Sequence, residues 1–364
     1  MIRIHFVILL FLISYSPLFA QKVQEVQWID AIELGVKGQG WKTLLHPYDR
    51  LPEHAKGKVR TKVWNLSEST AGMYLHFYSN SPLIKVKYQL RFNNHLPHQT
   101  DVNTKGVDLY IKEGETWQWA GASKPYSQDV ETTLIGDIPT QWREYKLFLP
   151  CYDGIAFLEI GIENGTEIKP FDSSEYAYQP LVFYGTSIMQ GCCASRPGLI
   201  STNRINRQLP AETINLGFSG NGRMETELAE LMAEIQASCY IVDCLPNLTP
   251  EQVKERSLPF VKYLRKLKPN VPIILVGEPG SQQKWVKDEA AMVNQLKNNY
   301  LRETFTKLKL EGYSQLYYVN GEDLIGTDHE ATVDAIHYTD LGYSRYTENI
   351  LPVIQKALDQ KSSN

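Results

Sequence analysis

Four short segments in the C-terminal half of this 364-residue chain carry residue types that can take part in catalysis. The first is a serine two residues after a glycine, and the second is a loop with three glycines. The third ends in an asparagine, and the fourth is the only Asp-x-x-His sequence in the chain. In chain order they are Gly185–Ile188, Asn215–Gly222, Asp243–Asn247 and Asp334–His337.

These residue types suit acyl transfer to a serine. A serine hydroxyl attacks a carbonyl only when a neighbouring base takes its proton, and a neutral imidazole is a common base. Ser187 is therefore the candidate nucleophile and His337 the candidate base, while Asp334 would hold the imidazole in the required tautomer. His329 is a rival base, but no aspartate precedes it by three residues, so we expect it to lie in a surface loop.

Each motif alone is weak evidence, and the predicted elements around the motifs add to it. Five short apolar runs predict strands buried on both faces: residues 181–184, 214–216, 240–243, 273–276 and 316–319. Amphipathic helices separate them, one of which begins at a capping box, Thr249–Gln252. This alternation predicts a three-layer α/β domain with a parallel sheet over residues 179–364. The motifs follow predicted strands or lie near the last helix, where parallel sheets place their active sites.

The preceding region, residues 21–178, has a different pattern. Between Trp41 and Ile162 apolar and polar residues alternate with a period of two, as in Ile84–Phe92, and Gly, Pro, Asn and Asp separate the runs. No convincing amphipathic helix is found there. The region therefore predicts an all-β domain of the sandwich or jelly-roll type.

The first twenty residues predict a secretory signal peptide. A short positive start is followed by the apolar run Phe6–Ile13, which is too short to span a membrane, and by a small residue, Ala20. We therefore expect an exported protein, periplasmic or secreted, with no membrane span in the mature chain. The formal charge of −4 becomes −5 when Arg3 is removed, and such an acidic chain argues against nucleic-acid binding.

Five cysteines lie in the mature chain, and the odd number leaves at least one unpaired. One disulfide is a hypothesis, linking Cys192 or Cys193 to Cys244. Zinc binding is not favoured, because Cys192 and Cys193 are adjacent and Cys239 and Cys244 are separated by four residues, so neither pair is C-x₂-C.

The C-terminal region resembles the SGNH (GDSL-type) hydrolases, whose sequence blocks match the four motifs in order. In the N-terminal region, Gly106–Tyr110 matches the Gly-x-Asp-Leu-Tyr signature of a β domain found with a subgroup of these enzymes, and Cys193–Pro197 is similar to that subgroup as well. One departure is Thr186, where better-known members carry aspartate; it places a local turn contact in doubt. Together these similarities span nearly the whole mature chain.

The resemblance implies a flavodoxin-like fold and an oxyanion hole. Its donors would be the backbone N–H groups of Ser187 and Gly220 and the side-chain amide of Asn247. The mechanism requires no cofactor and no metal, and the nucleotide-binding motifs G-x-G-x-x-G and G-x-x-x-x-G-K-[ST] do not occur.

The expected function is that of a serine esterase acting on small acyl esters, especially acetyl esters of carbohydrate. The alternatives are a glycan-binding protein with an inactive hydrolase-like domain, and a lipase or thioesterase for longer acyl chains. Trp117 and Trp119 share one face of a predicted strand, where they would either stack on sugars or pack in the sandwich core. Asp108 and Tyr110 would either reach the cleft or hold the domain interface. The sequence does not predict the oligomeric state.

Overall fold

The computed structural model describes residues 25–362, and the predicted signal peptide, residues 1–20, lies outside this range. The N-terminal part contains ten strands among the described residues. They are β1 (Val26–Asp30), β2 (Val36–Lys37), β3 (Tyr74–Ser79), β4 (Ile84–Leu90), β5 (Asp108–Glu113), β6 (Thr116–Ala122), β7 (Asp129–Ile135), β8 (Arg143–Phe148), β9 (Ile155–Glu163) and β10 (Ile168–Pro170).

These strands form two antiparallel sheets that pack face to face. One sheet has the order β1-β9-β4-β7, and the other has the order β10-β3-β8-β5-β6 with β2 paired to β3. Along β4 buried and half-buried residues alternate, as the sequence predicts. The buried face of β4 and its counterpart on β3 meet in one apolar core between the sheets. The N-terminal part is therefore an antiparallel β-sandwich.

Two short helices in this part were not expected from the sequence. They are α1 (Thr61–Ser67) and α2 (Asp101–Lys105), of seven and five residues. Neither is long enough to show the repeated i, i+3, i+4 spacing by which a helix is recognised in a sequence. The helix α2 is capped by Thr100, whose side chain accepts a hydrogen bond from the Asn103 backbone.

The C-terminal part contains a parallel sheet with helices on both faces. Its strands within the described range are β11 (Tyr178–Gly185), β12 (Ala211–Gly217), β13 (Cys239–Asp243), β14 (Ile273–Val276) and β15 (Leu316–Val319), in the order β12-β11-β13-β14-β15. All adjacent pairs are parallel. Each strand contains one of the five apolar runs that predicted it, and the strand order is that of the flavodoxin-like fold.

Six helices cover this sheet in the described part of the chain: α3 (Ser187–Gln190), α4 (Ser201–Asn206), α5 (Thr226–Glu234), α6 (Pro250–Leu267), α7 (Asp288–Leu310) and α8 (Asp340–Ser362). One apolar cluster joins α5, α6 and α7 to one face, and a second joins α3, α4 and α8 to the other. The capping box predicted at Thr249–Gln252 begins α6. Short 3₁₀ turns lie at Glu53–Ala55, Ser173–Glu175, Pro197–Leu199 and Leu245–Asn247.

No helix within residues 25–362 is long and apolar enough to cross a membrane. The sandwich and the α/β domain contact each other through several buried polar groups.

Candidate active site

Ser187 lies at the N-terminus of α3, two residues after the end of strand β11. The side chain of Thr186 accepts a hydrogen bond from the Ile188 backbone N–H at 3.2 Å and so caps the helix. The local turn contact that the Thr186 departure placed in doubt is thus made by a hydroxyl. The Ser187 side chain is buried apart from a small opening, with 7% of the residue exposed.

His337 joins Ser187 to Asp334 through two hydrogen bonds. Its Nε2 lies 2.8 Å from the Ser187 hydroxyl oxygen, and its Nδ1 lies 2.7 Å from an oxygen of Asp334. The other Asp334 oxygen accepts the His337 backbone N–H at 2.8 Å. Ala335 has a positive φ of 73°, which turns the chain so that both side chains meet. The three candidate residues therefore form a continuous relay that can move a proton from the serine.

The carboxylate of Asp334 is held in its charged form. Partial burial raises its pKa, but hydrogen bonds from the His337 backbone and ring outweigh this effect and leave the pKa below its ordinary value. An ionised Asp334 accepts a hydrogen bond from the Nδ1–H group of His337, which keeps the proton on Nδ1 and leaves the lone pair of Nε2 directed at the serine.

The three predicted oxyanion donors follow the carboxyl ends of three neighbouring strands, β12, β11 and β13. Ser187 is the first residue of α3, so no carbonyl within that helix can accept its N–H. Gly220 has a φ of +67°, and among the described residues its N–H has no hydrogen-bond partner. A Cβ on Gly222 would lie 1.9 Å from the Gly185 carbonyl oxygen, so the glycine loop lies directly against the nucleophile turn.

The orientation of the Asn247 amide follows from the same loop. Its oxygen can accept hydrogen bonds from the backbone N–H groups of Asn221 and Gly222, at 3.0 and 3.1 Å. In that orientation the NH₂ group occupies the other side of the amide and is available to an oxyanion. Asn247 therefore has two tasks, since it anchors the loop through its oxygen and presents a donor through its nitrogen.

His329, the rival base, is exposed and lies next to a tryptophan. Its ring centroid is 5.8 Å from that of Trp285, and the hydrogen bond to the serine is made by His337 instead. Its position agrees with the surface loop expected from the sequence.

The hypothesis of a disulfide between Cys244 and Cys192 or Cys193 is wrong for this structure. None of the five cysteines forms a disulfide within residues 25–362. Cys244 belongs to the apolar cluster on one face of the parallel sheet, whereas Cys192 and Cys193 belong to the cluster on the opposite face. The sheet therefore separates the proposed partners.

Asp108 and Tyr110 hold the interface between the two parts of the chain. Asp108 is completely buried, and its carboxylate accepts hydrogen bonds at 2.8 Å from Arg196, from the Gly198 backbone and from the indole of Trp119. Tyr110 also contacts Arg196 through its hydroxyl. Trp119 is 54% exposed, so it does not pack in the sandwich core. Of the two roles that the sequence left open for Asp108 and Tyr110, reaching the cleft or holding the domain interface, these contacts indicate the interface.

Several residues near the site give no signal in the sequence. The Tyr152 hydroxyl donates to the Ser187 carbonyl at 3.1 Å, and the Tyr343 hydroxyl contacts the carbonyls of Ile188 and Cys192 at 2.8 and 2.9 Å. Tyr152 belongs to the sandwich and Tyr343 to α8, both far from the serine in sequence. An isolated tyrosine has no spacing that would single it out.

Two recesses of different character adjoin the candidate site. A cavity of about 160 Å³ is mostly apolar and is lined by the residues that follow Ser187 and precede His337, namely Ile188 and Ile336, together with parts of α7. A more open cleft of about 710 Å³ lies on the side of the sandwich and is lined by Phe92, Asn94 and Tyr152 and by residues of the glycine loop.

Comparison with protein families gives two matches that together cover most of the chain. The model of the GDSL-like lipase/acylhydrolase family matches residues 178–355. The model of the N-terminus of SGNH-hydrolase-type esterases, named GxDLY, matches residues 26–168. No protein of curated function matches this chain.

Solved structures show the same two-part architecture. A protein from Bacteroides ovatus described as a GDSL-like lipase is 34% identical, with a TM-score of 0.87 over 92% of this chain and 98% of its own. A salicylyl-acyltransferase from a tetracycline biosynthetic pathway is 15% identical, with a TM-score of 0.71 over 92% and 98% of the two chains. An acetyl xylan esterase from Butyrivibrio proteoclasticus is 12% identical, with a TM-score of 0.56 over 92% and 99%. The last two share the fold alone.

Proposed function

This chain belongs to the GDSL-like lipase/acylhydrolase family, and we propose that it is an exported serine esterase that removes short acyl groups, chiefly acetyl, from carbohydrate. The observation that carries the proposal is the relay from Asp334 through His337 to Ser187, with contacts of 2.7 and 2.8 Å. Export is supported by the signal-like residues 1–20. N-terminal sequencing of the exported protein tests this part and should find a start near Gln21.

The reaction proceeds in two half-reactions. His337 takes the Ser187 proton as the serine oxygen attacks the ester carbonyl, and the N–H groups of Ser187 and Gly220 and the amide of Asn247 hold the oxyanion. His337 then gives the proton to the leaving alkoxide, which departs as the alcohol and leaves an acyl-enzyme. Water, deprotonated by His337, attacks the acyl-enzyme, and the carboxylic acid and the free serine are released.

We assign the acyl group to the apolar cavity. At about 160 Å³ the cavity is close in size to an engineered cavity of about 150 Å³ that binds one benzene molecule, which suits an acetyl or other short chain better than one of eight carbons or more. Ala290 of α7 lines it, whereas Met292 of the same helix is 55% exposed. Ala290→Phe should lower the turnover of p-nitrophenyl butyrate by a larger factor than that of p-nitrophenyl acetate. Met292→Phe is the matched control and should leave the ratio of the two turnovers unchanged.

We assign the carbohydrate to the open cleft. It carries hydrogen-bonding groups such as Asn94 and Asn221 and one exposed aromatic face, Phe92, which is 46% exposed. Aromatic faces beside polar groups suit sugar rings. Phe92→Ala should raise KM for acetylated xylan or glucomannan and leave turnover of p-nitrophenyl acetate unchanged. Trp142→Ala is the control, since Trp142 is equally exposed and does not line the cleft.

The test of the activity itself is turnover of p-nitrophenyl acetate together with labelling by a fluorophosphonate. Ser187→Ala should leave only background turnover and no label. If Ser187→Ala kept most of its activity, the mechanism would be wrong. A preference for acyl chains of eight carbons or more would replace the carbohydrate esterase with a lipase, and glycan binding without any turnover would indicate an inactive hydrolase domain.

A further inference from the structure

Two thiols and two imidazoles converge beside the nucleophile. The sulfur atoms of Cys192 and Cys193 are 3.2 Å apart, and the Cys192 sulfur is 3.3 Å from Nε2 of His98. The rings of His98 and His337 have centroids 5.7 Å apart. One nitrogen or sulfur atom from each of the four residues lies within 4.8 Å of every other.

The backbone explains how adjacent cysteines direct their side chains to the same place. In an extended segment neighbouring side chains point to opposite sides, but Cys193, three residues after the end of α3, has a positive φ of 71°. Both cysteines are buried. The short contact between their sulfur atoms is thus a product of this turn.

His98 belongs to the sandwich, and the loop that carries it is fixed on the α/β domain. The side-chain oxygen of Gln99 accepts the Cys193 backbone N–H at 3.0 Å, and the Thr100 hydroxyl donates to the Ser195 carbonyl at 2.6 Å. The cluster therefore depends on both parts of the chain. The cysteine spacing that argued against a metal site omitted these two histidines, because they lie 94 residues before Cys192 and 144 residues after Cys193.

The donor set is the one that zinc prefers. Thiolates and imidazoles bind Zn²⁺ in tetrahedral sites with Zn–S bonds of about 2.3 Å and Zn–N bonds of about 2.0 Å, which places ligand atoms roughly 3.3–3.8 Å apart. A sulfur–sulfur pair on the ion would be about 3.8 Å apart and a sulfur–nitrogen pair about 3.5 Å, so the 3.2 Å between the two sulfur atoms and the 3.3 Å between Cys192 and His98 must widen by a few tenths of an ångström. A pair as far apart as the upper limit of 4.8 Å must close by about 1 Å. Two thiolates also neutralise the charge of the ion.

We propose that Cys192, Cys193, His98 and His337 form a binding site for a thiophilic divalent cation, Zn²⁺, and that its occupation switches the esterase off. Both ring nitrogens of His337 serve the relay, since Nε2 faces Ser187 and Nδ1 contacts Asp334. A metal on either nitrogen takes the lone pair that accepts the serine proton or breaks the contact with the aspartate. The binding is independent of the proposed function, whereas the inhibition depends on it.

Binding is tested with Co²⁺, whose thiolate charge-transfer and tetrahedral d–d absorption report the ligand set without any turnover. The reduced protein, kept in a non-thiol phosphine, should bind one Co²⁺, and Zn²⁺ should displace it. Ser187→Ala should bind equally well, because the serine is not a ligand. His98→Gln and Cys192→Ser should each weaken binding by at least about 10-fold. His95→Gln and Cys239→Ala are the matched controls, since they remove a histidine of the same loop and a cysteine outside the cluster, and they should bind as the wild type does.

Inhibition is measured with p-nitrophenyl acetate at rising Zn²⁺. The wild type should lose more than nine-tenths of its activity and regain it with a chelator. With each rate taken relative to the same protein without metal, His98→Gln should need at least about 10-fold more Zn²⁺ for the same fractional loss. If Co²⁺ gave no charge-transfer band, or if the His98 and cysteine variants bound it like the wild type, the site would not exist. If the band formed as expected and Zn²⁺ did not inhibit an active enzyme, the switch would be refuted and the metal site retained. Absence of turnover in the metal-free wild type would count against the proposed function alone, because the Co²⁺ spectrum does not depend on it.

Discussion

Asn247 allows the two tasks of one side chain to be separated by substitution. Asn247→Ala removes the NH₂ donor and also the oxygen that anchors the loop at Asn221 and Gly222. Loss of one oxyanion donor lowers kcat by about 10²–10³, equivalent to roughly 2.7–4 kcal/mol of transition-state stabilisation. Asn247→Asp keeps an oxygen for the loop and places a second oxygen where the NH₂ group was. A carboxylate about 3 Å from an oxyanion adds repulsion on the order of 5 kcal/mol at an effective dielectric constant of 20.

The two variants, Asn247→Ala and Asn247→Asp, should therefore rank differently in activity and in thermal stability. With p-nitrophenyl acetate, Asn247→Asp should be at least as inactive as Asn247→Ala, while its melting temperature should stay closer to that of the wild type. KM should change little in both, because the donor acts on the transition state. If Asn247→Asp kept its kcat within 10-fold of the wild type, the amide nitrogen would not face the oxyanion and this assignment of the side chain would be refuted.

Three further substitutions test the relay, the interface and a buried carboxyl group. Asp334→Asn should lower kcat by about 10⁴, because an amide no longer fixes the tautomer of His337, and the pH–rate profile with p-nitrophenyl acetate measures the remaining activity. Asp108→Ala should destabilise the protein by about 3–5 kcal/mol in urea unfolding, since it leaves Arg196 and buried N–H groups without their shared acceptor; an unchanged midpoint would contradict the interface role. Burial raises the pKa of Asp243 to about 7, so the native state holds a proton that the unfolded chain has released, and stability should fall by up to about 4 kcal/mol as pH rises from about 4 to about 7. Asp243→Asn should flatten this slope, which thermal unfolding at a series of pH values measures.

The sequence predicts the α/β domain better than the details of the sandwich. Each strand of the parallel sheet contains a continuous apolar run, because it is buried on both faces. For Ile273–Val276 and Leu316–Val319 the run and the strand have the same ends, whereas Tyr178–Gly185 and Ala211–Gly217 extend beyond their runs. In the sandwich, Phe92 continues the alternation of β4 but lies beyond its end and is exposed. Alternation indicates which face a residue would take in a strand. It does not indicate where hydrogen bonding to the neighbouring strand stops, which depends on the partner.

The candidate site also contains some residues that the sequence predicts and others that it does not. Ser187, His337 and Asp334 lie in short segments next to predicted elements, so sequence spacing suffices to find them. Asp334 and His337 are three residues apart, and the turn at Ala335 brings them together locally. Tyr152 and His98 reach the site only because the sandwich packs against the α/β domain, and no local pattern in the sequence encodes this packing. Similarly, the disulfide hypothesis rested on neighbouring motifs and could not show that the sheet lies between the cysteines.

The sandwich forms part of the wall of the site and fixes the turn that carries the nucleophile. The helix α3 ends after four residues, and buried carbonyl groups at a helix end require partners. The Ser187 carbonyl accepts the backbone N–H groups of Gly191 and Cys192 at 3.0 and 2.9 Å, and side chains of the sandwich add to these contacts. The Tyr152 hydroxyl donates to the carbonyl of Ser187, and the Asn103 amide donates to that of Gly191 at 2.8 Å. A binding module on a flexible tether would supply neither contact. The position of the serine relative to its base therefore depends on the N-terminal domain, and this dependence is a physical reason for the two domains to occur together.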